Sequence, residues 1–456
     1  MGSADDATRA RRWALPAAAI VLAIGTGAGF GIYTGRHHGS GAHDARDPRV
    51  AKAFVLAQRG ENDKALQILA EYLAEHRDDA DAQTIELLAT WWQGGVLDDV
   101  KARATKLRLR PAQRAMIEGI DLITQRRDAE AIAFLANAAR ETPNAVEILY
   151  ALGEARWHGQ HLEEGAHTLA QAFALDPRWQ MALHHVVEYR LSRGETGELR
   201  PIANQLETTD PAAAATLECG IAISEQSYAR AVDTARTALA RVERTPELYL
   251  CLAQAQALTG DLDGGMATAK TAFELWPLAH EDRGGFAQYG EFFLYRNDLD
   301  GYLELMRGKP TSQRAIALLL LRPTAPVDEP QPAWPGKRMA PLGAATWILQ
   351  QHVHAIDASA VYATYPEPEV RLWGLALAAE GQGDLPAAIA RVREALAVPQ
   401  KGDIHMLLAH RLAHLLHATG DPAGAATACG DVIRPRFYVN YRAVLLPDCL
   451  AWTATR

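Results

Sequence analysis

The chain has 456 residues, of which 48% are hydrophobic and 22% are charged, and its formal net charge at pH 7 is -9. This composition is that of a folded body with a large core, and the acidic balance argues against a nucleic-acid binder, which needs a clustered basic face. Aromatic residues make up only 7% of the chain and alanine is abundant, which favours helices over sheets.

The N-terminal stretch departs from this picture, because an uncharged run extends from Trp13 to Tyr33. A helix of this length rises about 30 Å, enough to cross the hydrocarbon layer of a bilayer. We therefore predict a cytoplasmic N-terminus at 1–12, a transmembrane helix at 13–33 and a polar tether at 34–45. A cleavable signal peptide is the alternative. Arginines are concentrated before the span, so the positive-inside rule places the rest of the chain outside the cytoplasm.

Four glycines within the predicted span follow a small-xxx-small spacing. They form two pairs, Gly25 with Gly29 and Gly27 with Gly31. Such pairs let two helix backbones approach closely in lipid, so these residues are a candidate dimer face. The alternative is that glycine is simply frequent in membrane helices.

A pattern with a period of about 34 residues recurs along the rest of the chain. The stretch from Leu149 to Pro177 matches the stretch from Tyr249 to Pro277 in residue size and spacing. Small residues recur where two helices would touch, and Gly-Asp pairs such as Gly383-Asp384 recur between the helices. Glycine ends one helix and aspartate caps the next, so each copy predicts a helix, a tight turn and an antiparallel helix.

This pattern resembles the tetratricopeptide-repeat family over about three quarters of the chain, with about ten copies. The resemblance implies an all-α fold, an α-solenoid in which antiparallel helix pairs form a superhelix. We expect an array of about eight repeats at 46–321 and a second, shorter array with a C-terminal cap at 342–456. A proline-rich loop at 322–341 divides the two arrays. It is either a spacer or a segment that covers the groove and competes with a ligand.

In this family the first helices of the repeats line the concave wall of the superhelix, and the resemblance implies that four positions of each point into the groove. Aromatic residues mixed with carboxylates at these positions suit recognition of a peptide or a protein surface. The acidic balance favours a basic or neutral ligand. Carried over to this sequence, these positions form the predicted groove wall: Tyr150, Glu154, Trp157, His184, Glu188, Glu247, Gln254, Glu291, Trp373, Glu380, His410, His414 and His417.

The last three of these residues are spaced i, i+4 and i+7, so they share one face of a helix. Paired imidazoles can hold Zn²⁺, Ni²⁺ or Cu²⁺, but a metal site normally needs further ligands, and no Cys, Asp or Glu lies at matching spacing. We predict a polar wall that hydrogen-bonds a peptide. A metal site at His410 and His414 and a pH-sensitive binding surface are the alternatives.

Motifs for catalysis and cofactor binding are missing from the sequence, including H-E-x-x-H, C-x-x-C and G-x-x-x-x-G-K-[ST]. We therefore predict a chain that is not an enzyme and carries no cofactor. Cys429 and Cys449 flank the last helix pair and are suited to a disulfide in an oxidising compartment. For Cys219 and Cys251 we favour free buried thiols, which behave as small hydrophobes.

These features predict a scaffold or adaptor in the bacterial inner membrane, with a single span and a periplasmic repeat body. Its partners would be proteins or peptides of a membrane or periplasmic complex, of the polysaccharide, secretion or cytochrome-biogenesis type. Two alternatives stay open: a protein that handles a metal or small ligand through the His410, His414 and His417 face, and an accessory subunit of a multi-protein membrane enzyme.

Overall fold

A computed structural model describes residues 47–58, 61–92, 102–242, 244–275, 285–307, 313–322, 341–365, 367–398, 402–436 and 442–454. The predicted transmembrane helix at 13–33, the tether and all but the ends of the proline-rich loop lie outside these residues, and so do Gly25, Gly27, Gly29 and Gly31. In the described part of the chain, no helix combines the length and the apolar composition that crossing a membrane requires.

The regular elements of the described residues are helices. The N-terminal part contains α1 (Pro48–Gln58), α2 (Asn62–Glu75), α3 (Ala80–Trp92), α4 (Pro111–Thr124), α5 (Asp128–Glu141), α6 (Val146–His158), α7 (Leu162–Leu175), α8 (Leu183–Arg193) and α9 (Leu199–Thr209). The middle contains α10 (Pro211–Ser224), α11 (Tyr228–Leu239), α12 (Pro246–Leu258), α13 (Leu262–Leu275), α14 (Gly285–Tyr295), α15 (Leu299–Leu305) and α16 (Gln313–Leu321). The C-terminal part contains α17 (Pro341–Val353), α18 (Ser359–Tyr362), α19 (Pro368–Gly381), α20 (Leu385–Ala397), α21 (Gly402–Ala418), α22 (Pro422–Ala428), α23 (Gly430–Ile433) and α24 (Arg442–Ala454).

Helices that are consecutive along the chain pack as pairs, such as α6 with α7, α12 with α13 and α19 with α20. The first helix of a pair also packs against the first helix of the next pair, as α4 does on α6, α10 on α12 and α19 on α21. Short turns make the two helices of a pair antiparallel. This arrangement is the repeat array that the resemblance implied.

Small residues set the distance between the two helices of a pair, as the sequence pattern predicted. A Cβ atom built on Gly165 of α7 would lie 2.9 Å from the Trp157 backbone nitrogen and 3.1 Å from the Gly153 carbonyl oxygen of α6. In the α12–α13 pair, a Cβ atom built on Gly265 would lie 3.0 Å from the carbonyl oxygen of Ala253. A larger side chain would push the helix axes apart, because packed interiors leave no room for extra atoms.

The Gly-Asp turns are also confirmed. Gly383 has a φ of 80°, a left-handed conformation that glycine adopts without steric cost. The carboxylate of Asp384 then accepts a hydrogen bond at 3.1 Å from the backbone N–H of Ala387, which caps the start of α20. Asp421 caps α22 in the same manner, through the N–H of Gly424 at 2.8 Å.

Both cysteine pairs are disulfides in this structure. Cys219 of α10 and Cys251 of α12 lie 2.11 Å apart at sulfur, which corrects the expectation of free thiols. The reason is that α10 and α12 are first helices of neighbouring repeats and pack side by side, so the two side chains meet. Cys429 and Cys449 form the second disulfide, at 2.08 Å, which ties the end of α22 to α24.

The C-terminal helix folds back onto the middle of the array. Besides its neighbours α21, α22 and α23, α24 packs against α14 and α16, which lie more than one hundred residues earlier in the chain. One apolar core extends from α14 to α24, and a second one occupies the N-terminal part from α1 to α10. The array is therefore closed at its end by contacts that do not follow the order of the repeats.

Candidate functional site

The residues of the predicted groove wall fall into three groups in the structure. Five are buried at separate places, namely Tyr150, Glu247, Gln254, Glu291 and Trp373. Four lie together between α6 and α8, namely Glu154, Trp157, His184 and Glu188. Four lie together on α19 and α21, namely Glu380, His410, His414 and His417. Contact with a partner remains a prediction for all of them.

Other parts of the same chain cover several of these wall positions. Tyr150 packs on Trp179, with ring centroids 5.2 Å apart, and Phe54 of α1 also contacts that tryptophan, at 5.3 Å. Glu291 of α14 is fully buried and accepts a hydrogen bond at 3.1 Å from the backbone N–H of Ala443, at the start of α24. A carboxylate at that place stabilises a helix N-terminus.

The group between α6 and α8 forms a buried cluster of histidines around one carboxylate. Glu154 and His158 lie one helical turn apart on α6, so both face α8. His158 Nε2 is 3.7 Å from Glu154 Oε2, and His185 Nε2 of α8 is 3.6 Å from the same oxygen. All three residues are buried. We call Glu154, His158 and His185, together with the Glu188 side chain that contacts His185, the buried cluster.

Two contacts orient the His185 ring. Its Nδ1 lies 3.2 Å from Glu188 Oε2, one turn further along α8. Its face stacks on Trp157, with centroids 4.4 Å apart and planes inclined by 17°. Because both the ring plane and the Nδ1 side are fixed, Nε2 must point towards Glu154.

The charges of the buried cluster depend on each other. Burial alone would raise the pKa of Glu154, but the neighbouring His185 and His158 hold the pKa well below its usual range. Burial would lower the pKa of His185, but the carboxylates of Glu154 and Glu188 raise it to about 8. The carboxylate is thus strongly held in its ionised form, ready to pair with an imidazolium or with another cation.

The second group, on α21, is arranged differently. The rings of His410, His414 and His417 all lie beside Trp452 of α24, at centroid distances of 5.5, 5.9 and 5.5 Å. His410 Nε2 is 3.1 Å from Asp448 Oδ2 on α24. We call these three histidines and Trp452 the C-terminal cluster.

The polar atoms of the C-terminal cluster point to separate partners. His414 Nε2 lies 3.5 Å from Glu380 Oε1 of α19, away from the carboxylate that faces His410. Glu380 also pairs with Arg411 at 2.7 Å, and Arg411 contacts the ring of His352 at 2.9 Å. The His414 side chain retains 43% of its accessible surface, and His417 is exposed as well.

Burial and the neighbouring groups affect the protonation of the C-terminal cluster. Burial lowers the pKa of His410, although Asp448 opposes that shift. The pKa of Glu380 is also lowered, because His414 and Arg411 outweigh the effect of burial. His410 is therefore held largely neutral near pH 7, in contrast to His185 in the buried cluster.

A third feature is a segment of the chain bound by the array itself. Gln226 Nε2 donates to the carbonyl oxygen of Arg434 at 2.8 Å, and the Tyr228 hydroxyl donates to the carbonyl oxygen of Pro435 at 3.2 Å. In return, Arg436 Nη1 donates to the carbonyl oxygen of Ser224 at 3.1 Å. The array thus holds residues 434–436 at the turn between α10 and α11.

The same docking continues at the start of α24. Arg442 Nη1 lies 2.5 Å from the Tyr295 hydroxyl of α14. Glu291 of the same helix accepts a hydrogen bond from the backbone N–H of Ala443. We call residues 434–436 and 442–443 the docked C-terminal segment.

His158 and His185 are the site residues that the sequence did not predict. Neither occupies a position that the family pattern turns into the groove. The signal that would have found them is a histidine next to a predicted wall residue, on each of two neighbouring first helices. That signal is weak, because it acquires meaning only when α6 and α8 are known to face each other.

No protein-family model matches this chain, and no curated protein matches it. Among solved structures the chain is similar to one titled "Crystal structure of APC/C hetero-tetramer Cut9-Hcn1", at 12% sequence identity, with 87% of this chain and 89% of that chain covered and a TM-score of 0.36. A similarity this low supports no argument about function. The helix pairs themselves show the fold.

Proposed function

We propose that this protein is a non-enzymatic scaffold that binds segments of partner proteins along its helical-repeat array. The observation that carries this proposal is the docked C-terminal segment. Side chains of the α10–α11 turn, of α11 and of α14 hold atoms of chain segments more than one hundred residues away, and two of these bonds go to main-chain carbonyl groups. Bonds to main-chain atoms bind a segment with little regard to its side chains, which is how a scaffold accepts an extended peptide.

The C-terminal cluster includes His417, the most exposed residue of the predicted groove wall. His414 and His417 are exposed beside Trp452, and an aromatic ring between polar groups is a typical anchor for a protein ligand. The net charge of -9 favours a basic or neutral partner segment.

We also propose where in the cell this scaffold lies and which kind of assembly pathway it serves. The two disulfides are typical of an oxidising compartment, and the uncharged run at 13–33 has the length of a membrane anchor. A bacterial inner-membrane protein with a periplasmic array would meet both conditions. In that place the scaffold would serve the assembly of an envelope complex, of the polysaccharide, secretion or cytochrome-biogenesis type, and the anchors of two copies could pair through their glycines.

The test is quantitative mass spectrometry of what co-purifies with the full-length protein, gently solubilised from its own membranes. The variant is His414→Ala combined with His417→Ala, and the matched control is His167→Ala on the exposed face of α7. We expect a stoichiometric partner that the double variant retains at least about tenfold less well than the control, because one lost anchor costs about 1.4 kcal/mol or more. A folded protein without a stoichiometric partner, or a partner retained equally by both variants, would contradict the proposal.

A further inference from the structure

The buried cluster has a feature that direct hydrogen bonds do not explain. Two imidazole nitrogens approach one carboxylate oxygen from two different helices, at 3.6 and 3.7 Å. A direct N–H···O hydrogen bond measures about 2.7–3.2 Å, so both separations are too long for one. Ligand atoms that each lie about 2.0–2.2 Å from a tetrahedral ion are about 3.3–3.6 Å apart. The observed spacing is closer to that of atoms arranged around an ion.

The three residues also offer a suitable set of ligands. In the described residues, one ligand atom from each of Glu154, His158 and His185 falls within 4.8 Å of the other two. A second group of the same kind, formed by His184, His185 and Glu188, shares the His185 ring. Two imidazoles and a carboxylate are a set that Zn²⁺ accepts, whereas Mg²⁺ and Ca²⁺ prefer oxygen alone.

The surroundings support metal binding at His185. A histidine that binds a metal through one ring nitrogen usually donates its other N–H to a carboxylate, which fixes the orientation of the ring. Glu188 stands in that position at His185 Nδ1. The stacked Trp157 restrains the ring further.

We infer that Glu154, His158 and His185 bind one Zn²⁺ ion, with Glu188 as the positioning carboxylate, and that this ion joins two consecutive repeats of the array. Glu154 and His158 come from α6, and His185 comes from α8, so the ion would link the two repeats directly. Because its ligands are buried between two helices, we expect the ion to stabilise the packing of α6 on α8. This inference is independent of which partner the scaffold binds.

A Zn²⁺ ion also answers an energetic problem of this cluster. An ionised carboxylate buried at the position of Glu154 loses its hydration, and this loss costs several kcal/mol unless a cation compensates it. A protonated His185 provides one positive charge. A divalent ion bound by neutral imidazoles provides two and occupies the space between all three ligand atoms.

The experiment measures zinc in the full-length, oxidised protein. The protein is dialysed against Zn²⁺ buffered by a competing chelator, and bound metal is determined by elemental analysis. We expect one Zn²⁺ per chain. Glu154→Gln and His158→Gln should each weaken affinity by more than about 100-fold, and Glu188→Gln by about 10- to 100-fold. His167→Gln, an exposed histidine on α7, is the matched control and should bind zinc as the unchanged protein does.

Two results would overturn the inference. One is a folded, unchanged protein that binds no zinc at equilibrium, a result that does not depend on whether any variant folds. The other is full zinc binding by Glu154→Gln and His158→Gln, which would place the metal elsewhere. Where a variant does not fold, the absorption spectrum of the Co²⁺-loaded unchanged protein decides, because tetrahedral and octahedral Co²⁺ differ in their d–d bands. A tetrahedral spectrum supports the site, and an octahedral one overturns it.

Discussion

The two histidine clusters of this protein contain the same kinds of side chain but place them differently. In the C-terminal cluster the histidines come from one helix, α21, and His410 and His414 turn to carboxylates on two different helices. In the buried cluster they come from α6 and α8, and both face one oxygen of Glu154. Helical spacing puts side chains on a common face, but ligand atoms converge on a point only when two elements pack together.

The largest expected effect distinguishes Trp157, which stacks on the buried cluster, from Trp452 of the C-terminal cluster. Trp157 is 1% exposed and stacks on His185, so Trp157→Ala should lower the free energy of unfolding by about 3–5 kcal/mol through the cavity it leaves. Trp452 is only partly buried, so Trp452→Ala should cost about 1 kcal/mol. Guanidinium denaturation followed by circular dichroism measures both losses. Equal losses would contradict the difference in burial.

The two disulfides give a second difference between the clusters, because only one of the bonds holds a residue of the C-terminal cluster in place. The Cys429–Cys449 bond ties α24, which carries Trp452, to the end of α22. Replacing both cysteines by alanine should cost about 2–4 kcal/mol and expose Trp452 to a soluble quencher of its fluorescence. The matched control replaces Cys219 and Cys251, with a similar cost and no change at Trp452. If the control exposed Trp452 equally, the specific role of the Cys429–Cys449 bond would be refuted.

The stability that the buried cluster contributes should depend on pH through the raised pKa of His185. In zinc-free protein, Glu154 and Glu188 raise the pKa of His185 to about 8, above its ordinary value of 6.5. A group of this kind contributes stability that is complete below pH 6.5 and is lost as the pH rises through about 8. An NMR titration of the histidine ring protons measures this pKa directly, and Glu154→Gln should lower it.

The C-terminal cluster should show the opposite sign. Burial lowers the pKa of His410 below 6.5, and Asp448 only partly offsets that shift, with Arg411 and His414 adding to it. The stability that comes from neutral His410 is present above pH 6.5 and is lost as the pH falls through its lowered pKa. The same NMR titration reports this group. A His410 pKa above that of His185 would reverse the assignment of the two clusters.

The smallest effect on stability is expected at the exposed end of the C-terminal cluster. His417→Ala should change the free energy of unfolding by less than about 0.5 kcal/mol, because the side chain is exposed and little packing depends on it. His158→Ala is the matched comparison in the buried cluster and should cost clearly more. Thermal unfolding of the two variants in parallel tests this, and a large loss for His417→Ala would mean that the wall is structural.

Much of the fold follows from the sequence, because its rules act over short distances. Gly165 marks the close approach of α6 and α7, and the Gly383-Asp384 pair marks a turn with its helix cap. These signals lie within one repeat, so they can be read from spacing alone. The Cys219–Cys251 disulfide already needs the packing of two first helices, and there the sequence-based expectation was wrong.

The docked C-terminal segment could not be predicted from the sequence. Gln226 and Arg434 meet across more than two hundred residues, and neither belongs to a local pattern that indicates the contact. The buried cluster could be predicted only in part. Glu154 was predicted as a residue of the groove wall, which stays a prediction, and its partners His158 and His185 emerge only when α6 faces α8.

The most direct test of the account is anomalous diffraction at the zinc edge from crystals of the full-length protein equilibrated with Zn²⁺. The account predicts one strong peak about 2.0–2.2 Å from Glu154 Oε2, His158 Nε2 and His185 Nε2, which is the range of zinc–ligand distances. A map without a peak at that position, or with its main peak beside His410 and His414, would contradict the claim that the buried cluster is the place where the ligands converge.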